Sequence, residues 1–267
     1  MLGVLLVASA IVAATALFRD DDAADERRAA VAAYIVQVNT TQQALVVELE
    51  RVNIAYRELE LKAEPVPGQL SRVEAAKRSL EKLRARFAAL RVPPETEKLH
   101  AQLLRLVSLQ VAFAGEVAGM VRYLPVQAAE SRKVVAATVR LRGELQGATG
   151  GEEQRAAFET YRQVIRAVVR RLEQASAPAV LEPARTGEIA RLKKLDALAG
   201  QVGHALEQQR VQDIDRLFAG FVRASADTGT TPAERQAVIA YNRRVAAISD
   251  QRAAVNAERV RLDVELQ

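Results

Sequence analysis

Residues 31–61 read VAAYIVQVNTTQQALVVELERVNIAYRELEL. Val31, Val38, Leu45, Val52 and Leu59 recur every seven residues, and Ile35, Leu49 and Tyr56 follow three of them by four. Apolar side chains at that spacing share one face of an α-helix, which turns once in about 3.6 residues. The opposite face carries Arg28, Glu48, Glu50, Arg51, Arg57 and Glu58. The pattern predicts one helix over residues 21–62, roughly 60 Å long. It stops at Glu64-Pro65-Val66-Pro67-Gly68, where two prolines and a glycine cannot continue a helix. A stripe of that length has to be covered by other helices, and a coiled-coil-like seam is the geometry that covers it.

Working outward, the remaining chain has the same character. No segment alternates apolar and polar residues between hairpin turns, whereas helical spacing recurs throughout. Pro93-Pro94 separates a predicted helix over residues 69–91 from one over 95–124, and Pro125 is expected to end the latter before a helix over 126–146. Residues 147–151 form a glycine-rich turn, Pro178 and Pro183 bracket a short connector, and residues 227–230 form a loop. The last helix opens at Thr231-Pro232-Ala233-Glu234, with a capping Thr, a Pro in the first turn and a Glu three residues after the Thr. Its stripe is Val238, Tyr241, Val245, Ile248, Val255, Leu262 and Leu266, and it is expected to pair antiparallel with the first long helix.

Composition narrows the function. The chain has 267 residues, no Cys, no Trp and two His. Without cysteine there is no disulfide, thiol nucleophile, iron–sulfur cluster or Cys-ligated zinc. A 49% hydrophobic content with 27% charged residues suits a chain that buries a core.

Residues 2–18 carry no charge and are interrupted only by Gly3, Ser9 and Thr15. As a helix they extend roughly 25 Å against a hydrocarbon core of about 30 Å, the lower limit for a membrane span. Ala8-Ser9-Ala10 and Ala14-Thr15-Ala16 fit the small-x-small pattern of signal cleavage, but the run is long for a signal core and lacks a preceding Lys or Arg. Arg19 and then Asp20, Asp21 and Asp22 follow. The expectation is a single-pass anchor, N-terminus inside, with the remaining domain extracytoplasmic; the alternative is secretion after cleavage.

An internal repeat is expected at an offset of 85 residues, the separation of Pro93 and Pro178. At that offset Val73 meets Phe158, Leu80 meets Ile165, Leu83 meets Val168 and Phe87 meets Leu172. Ala114-Gly115-Glu116-Val117 likewise meets Ala199-Gly200-Gln201-Val202, and Val126-Gln127 meets Val211-Gln212. This suggests two three-helix copies over residues 69–147 and 152–227, weighed against chance likeness among Ala/Leu/Arg-rich helices. Repeats of this kind build scaffolds and binding surfaces. Residues 69–150 hold 14 basic and 7 acidic side chains, net +7 within a chain of +5. Outside the cytoplasm the partners such a surface attracts are anionic lipids or wall polymers, although charged faces are also the norm on solvated bundles. No base-reading motif or cluster of stacking aromatics points to nucleic acid.

Candidate chemistry is sparse. Glu97-x-x-His100 is half of a ferritin-like di-metal site, which needs a second Glu-x-x-His and two further carboxylates. The other histidine, in Gly203-His204-x-x-Glu207, has the reversed order. Asp213 and Asp215 are two apart and point to different faces of a helix, so they do not pair as acid and base. No nucleophile elbow, phosphate loop, dinucleotide fingerprint or HExxH is present. The expectation is no catalytic, metal or cofactor-binding residue. The most apolar helix, through Leu103, Leu106, Leu109, Phe113, Val117, Met120 and Leu124, reads either as a greasy groove or as the central core helix, and its Gly115 and Gly119 permit close helix approach.

Three stretches carry a resemblance. They are Arg19-Asp20-Asp21-Asp22 after the apolar run, VVELERVN at residues 46–53, and the PAVLEP connector at 178–183 together with Tyr241-Asn242-Arg243-Arg244. In these the chain resembles a family of uncharacterised single-pass or exported all-helical bacterial envelope proteins. The resemblance covers most of the chain and implies topology, with no established activity.

The reading is an all-α chain: an N-terminal transmembrane or signal helix, then an elongated helical bundle with two degenerate three-helix repeats. Its parts are an anchor at 1–18, a long amphipathic helix at 19–68, repeats at 69–150 and 151–231, and a long C-terminal helix at 232–267. The expected function is an envelope scaffold or protein-interaction module. The alternatives are an extracytoplasmic ligand-binding bundle and a domain that binds anionic membrane surfaces. Oligomeric state is left open.

Overall fold

The computed structural model describes residues 22–61, 68–226 and 232–265, with the side chains of residues 25–58, 68–226, 235–236 and 238–265. The apolar run at 2–18, Thr231 with its capping box, and Leu266 lie outside that description. Among the described residues there are seven α-helices and no strand. They are α1 (Asp22–Leu61), α2 (Gln69–Ala88), α3 (Glu97–Gly147), α4 (Gly151–Gln174), α5 (Glu182–Glu207), α6 (Val211–Ala226) and α7 (Pro232–Glu265). The chain divides into two compact units. Unit 1 takes the residues up to Val121 and those from Asn242 onward, and unit 2 takes Arg122–Tyr241.

In unit 1, α1 buries Val31, Val38, Leu45, Leu49 and Val52 as its heptads require. Tyr34 is buried beside them, while Ile35 and Tyr56 are only partly covered. Gly68 turns the chain into α2 at φ 74°, a left-handed conformation that glycine adopts without Cβ strain. The buried amide of Gln69 then donates to the Ala55 carbonyl at 2.8 Å and fixes the start of α2 on α1. Helix α2 buries Val73, Ala76, Leu80, Leu83 and Phe87, alternating steps of three and four along one face.

The turn into α3 is closed at the Pro93 carbonyl. It accepts from the Thr96 backbone N–H at 2.9 Å and from the Thr96 hydroxyl at 3.0 Å. In α3, Leu99, Leu103, Val107, Ala114 and Val117 are buried, so this helix is a core helix of unit 1. Gly115 lies against Lys77 of α2, whose Cε is 3.5 Å from where a Cβ would stand. Helix α7 runs antiparallel to α3. Going up α7, Arg244 meets Glu116 at 3.0 Å, Gln251 donates to the Gln102 carbonyl at 3.0 Å, and Glu258 meets Lys98 at 2.7 Å. Val255 and Leu262 of its expected stripe are buried, but Val238 is exposed.

The break expected at Pro125 is absent, because α3 continues through it to Gly147. A proline within a helix removes one hydrogen bond and crowds the carbonyl four residues earlier, a cost of about 3 kcal/mol. Buried residues flank the site on both sides: Met120, Val121 and Tyr123 before it, Val134, Ala137 and Leu141 after it. Tertiary burial of these side chains outweighs the local penalty. The first expected three-helix copy therefore contains two helices.

In unit 2, α4 and α5 form a hairpin, and α6 packs on α5. Their core holds Phe158, Tyr161, Ile165, Val168, Leu172, Leu192, Leu195, Ala199, Val202 and Phe221. The Phe221 ring meets Phe158 and Tyr161 edge-on, each at 5.5 Å between centroids. At the turn between α4 and α5 the Pro178 carbonyl accepts from Leu181 N–H at 2.9 Å. Pro183 belongs to the first turn of α5, where its missing N–H costs nothing, so the helix begins inside the connector expected from the sequence. Gly200 lies against the Arg162 guanidinium, whose Cζ is 2.9 Å from where a Cβ would stand. The chain leaves α5 through Gln209 at φ 53°, with Arg210 N–H donating to the Ala205 carbonyl at 3.0 Å. That is the Schellman way to end a helix, with Gln in the place usually held by glycine.

Candidate functional site

A polar grouping in unit 1 joins α1, α3 and α7. Their apolar stripes bring polar side chains inward at several positions. The Tyr34 hydroxyl lies 3.1 Å from Nδ1 of His100, across 66 residues of sequence. Burial raises the Tyr34 hydroxyl to a pKa of about 12, a rise slightly opposed by the Arg259 charge. Burial also lowers the His100 pKa, so the imidazole is neutral near pH 7. Arg259 donates to Oε1 of Gln42, and its buried Nε has no hydrogen-bond partner among the described residues. Glu258 is buried between Lys98 and Arg261, and hydrogen bonds from Arg261 and then Lys98 hold its carboxyl below the usual range.

The residues that suggested metal chemistry are not brought together. Glu97 is exposed, whereas His100 turns inward to Tyr34. His204 is exposed on α5, 3.4 Å from Glu207 through Nδ1 and 2.7 Å from Gln208 through Nε2. Among the described residues no group of three or more His, Asp or Glu side chains is placed to hold a metal ion. Asp213 is paired with Arg210 and Arg216, at 3.4 and 2.8 Å, and Asp215 is exposed.

Unit 2 has ion pairs that link helices. Arg162 and Arg166 of α4 both donate to Asp196 of α5 at 3.1 Å, and Arg162 also holds Glu159 at 2.8 Å. Arg185 donates to the Leu172, Glu173 and Ala175 carbonyls, each at 3.2 Å, while Glu182 grips the same guanidinium. It satisfies the free carbonyls at the end of α4 from the first turn of α5. No sequence signal marked this role, because a cap supplied from the next helix has no fixed local spacing. Tyr34 and Arg259 were missed for the same reason, since their neighbours are set by helix packing.

Among the described residues one helical stretch, Pro94–Gly147, is long and apolar enough to cross a membrane, and half of its most apolar window is buried inside the protein. Comparison with family models, curated proteins and solved structures finds no match for this chain.

Proposed function

We propose that this chain is an envelope-anchored helical scaffold, built from two copies of one helical hairpin, whose work is to hold protein partners. The observation that carries the reading is that local contacts recur at one offset. Thr96 N–H to Pro93 and Leu181 N–H to Pro178 are the same turn bond, 85 residues apart and each 2.9 Å long. Gly115 against Lys77 and Gly200 against Arg162 are the same helix-to-helix contact at the same offset. Val73, Leu80, Leu83 and Phe87 are buried, as are Phe158, Ile165, Val168 and Leu172 at the matching positions. The shared turn bond and glycine contact support a repeat beyond what matching apolar stripes alone would. Repetition of a packing module extends a surface rather than building one pocket, which suits a scaffold. The uncharged run at 2–18 supplies the anchor in this reading.

A second reading has one observation in its favour. Val211, Phe218 and Val222 lie on one side of α6 and are all exposed, next to Arg210 and Arg223. An amphipathic helix with an open apolar side and flanking arginines suits a membrane surface.

The test is the native mass of the full chain, extracted in mild detergent, against its denatured mass. The scaffold reading expects discrete added mass from another protein. Added mass from a small molecule with no protein partner would overturn it. For the second reading, full chain incorporated in neutral and anionic vesicles is probed by protease at α6, and protection that appears only with anionic lipid and fades with salt supports it.

A further inference from the structure

The side of α2 turned away from the core is basic. Val73, Ala76, Leu80, Leu83 and Phe87 form its buried face. At about 100° per residue, Arg78, Lys82 and Arg86 lie on the opposite side, in steps of four that climb about 6 Å each. Ala75, Ala85 and Ala89 on the same side add no large apolar or aromatic side chain. Arg84 lies off this row, and Arg91 lies beyond the end of the helix. All five cations are exposed, and none forms an ion pair among the described residues. Glu81, the one acid in residues 75–91, is paired with Lys77 at 3.0 Å.

Charged faces are common on bundles, but this one is unbalanced. Residues 75–91 hold six basic side chains and one acidic, net +5, while the rest of the chain has 32 of each sign. Helix α4 forms the like hairpin without these cations. At the offset of 85 residues Arg78, Lys82, Arg84 and Arg91 meet Gln163, Ala167, Val169 and Ser176, and only Arg86 meets an arginine, Arg171. Arg162 and Arg166 of α4 are held by Asp196.

We propose that the outward side of α2, together with Arg84 and Arg91, binds a linear polymer whose charges are phosphates. Charge complementarity selects an anion, and the other features select its form. A protein interface is centred on buried aromatic or aliphatic anchors, and this face has none. A helix that lies in a membrane surface needs an apolar side, which the core takes up here. A flat anionic surface meets only the row of Arg78, Lys82 and Arg86, whereas a flexible chain of phosphates can also turn to Arg84 and Arg91. The face offers no aromatic ring on which nucleic-acid bases would stack. Four of the five cations are arginine, whose planar fork matches two phosphate oxygens at once. This inference is independent of the scaffold reading and of where in the cell the chain resides.

The test titrates the full chain, in mild non-ionic detergent, with labelled long-chain inorganic polyphosphate over a range of salt. Two triple variants are measured beside it. One is Arg78→Gln, Lys82→Gln and Arg86→Gln; the other is Arg132→Gln, Arg142→Gln and Arg170→Gln, which removes the same charge at exposed positions outside α2. The α2 variant should bind about 100-fold more weakly at about 50 mM salt, and its slope of log affinity against log salt should be shallower by about 2, as the loss of three phosphate contacts requires. The second variant should keep the affinity of the unmodified chain. No binding by the unmodified chain, or an equal loss in both variants, would overturn the proposal. Tighter binding of polyglutamate than of polyphosphate would assign the face to an acidic protein instead. Loss of polyphosphate binding on adding vesicles that contain phosphatidylglycerol, but not neutral vesicles, would assign it to a membrane. Either result overturns the polymer as occupant.

Discussion

The Tyr34 hydroxyl meets Nδ1 of His100 at 3.1 Å, joining α1 to α3 inside unit 1. One side chain comes from residues 29–47, which contain no charged side chain, and the other from a motif that resembled half of a metal site. Their meeting gives His100 a structural role, with its ring held neutral by burial.

This role sets a pH dependence. The folded pKa of His100 lies below its unfolded value near 6.5, so the unfolded chain binds the extra proton first. The stabilisation is complete above pH 6.5 and is lost as the pH falls from there toward the folded pKa. Thermal unfolding followed by circular dichroism between pH 7.5 and 5 should show a falling midpoint, and His100→Gln should flatten that fall. The depressed carboxyl of Glu258 acts in a separate window: its contribution is present above about pH 4.5 and is lost below it.

Tyr34→Phe keeps the buried ring and removes the hydroxyl. The loss is one hydrogen bond to His100, worth about 1 kcal/mol. Urea unfolding should show the midpoint moving down with an unchanged slope, and in the His100→Gln background the same substitution should cost measurably less.

The two glycines facing cations should respond differently to alanine. Gly115→Ala would place its methyl 3.5 Å from the Lys77 Cε, an ordinary van der Waals contact, and gains helix propensity, so it should stabilise by about 0.5–1 kcal/mol. At Gly200 the new methyl would lie 2.9 Å from the Arg162 Cζ, and that guanidinium is held by Asp196 and Glu159. Gly200→Ala should therefore lose its propensity gain and come out less stable than Gly115→Ala. Denaturant midpoints of the two variants measure the difference.

Gln209 occupies the left-handed region at φ 53° and is exposed. A side chain there costs roughly 1–2 kcal/mol, part of which glycine returns through its freer unfolded state. Gln209→Gly should raise stability by about 0.5–1 kcal/mol, visible as a higher midpoint of thermal unfolding.

The all-helical class and the bounds of α1, α2 and α7 were legible because prolines and glycines punctuate them and a heptad stripe runs between. Pro125 misled because its local penalty is visible in sequence and the burial that overrides it is not. The end of α5 was hidden because Gln209 does what glycine ordinarily signals. The grouping of Tyr34, His100, Gln42 and Arg259 was illegible for a different reason: its members come from three helices, and their neighbours follow from packing.

Topology is the point on which the account turns. With no native cysteine, Val139→Cys in the full chain provides one reactive thiol at an exposed position of α3. Intact bacterial cells producing this variant are treated with a membrane-impermeant maleimide, small enough to pass an outer membrane, and labelling is compared with that after lysis. The account predicts equal labelling before and after lysis. Labelling that appears only after lysis would place the bundle in the cytoplasm and contradict it.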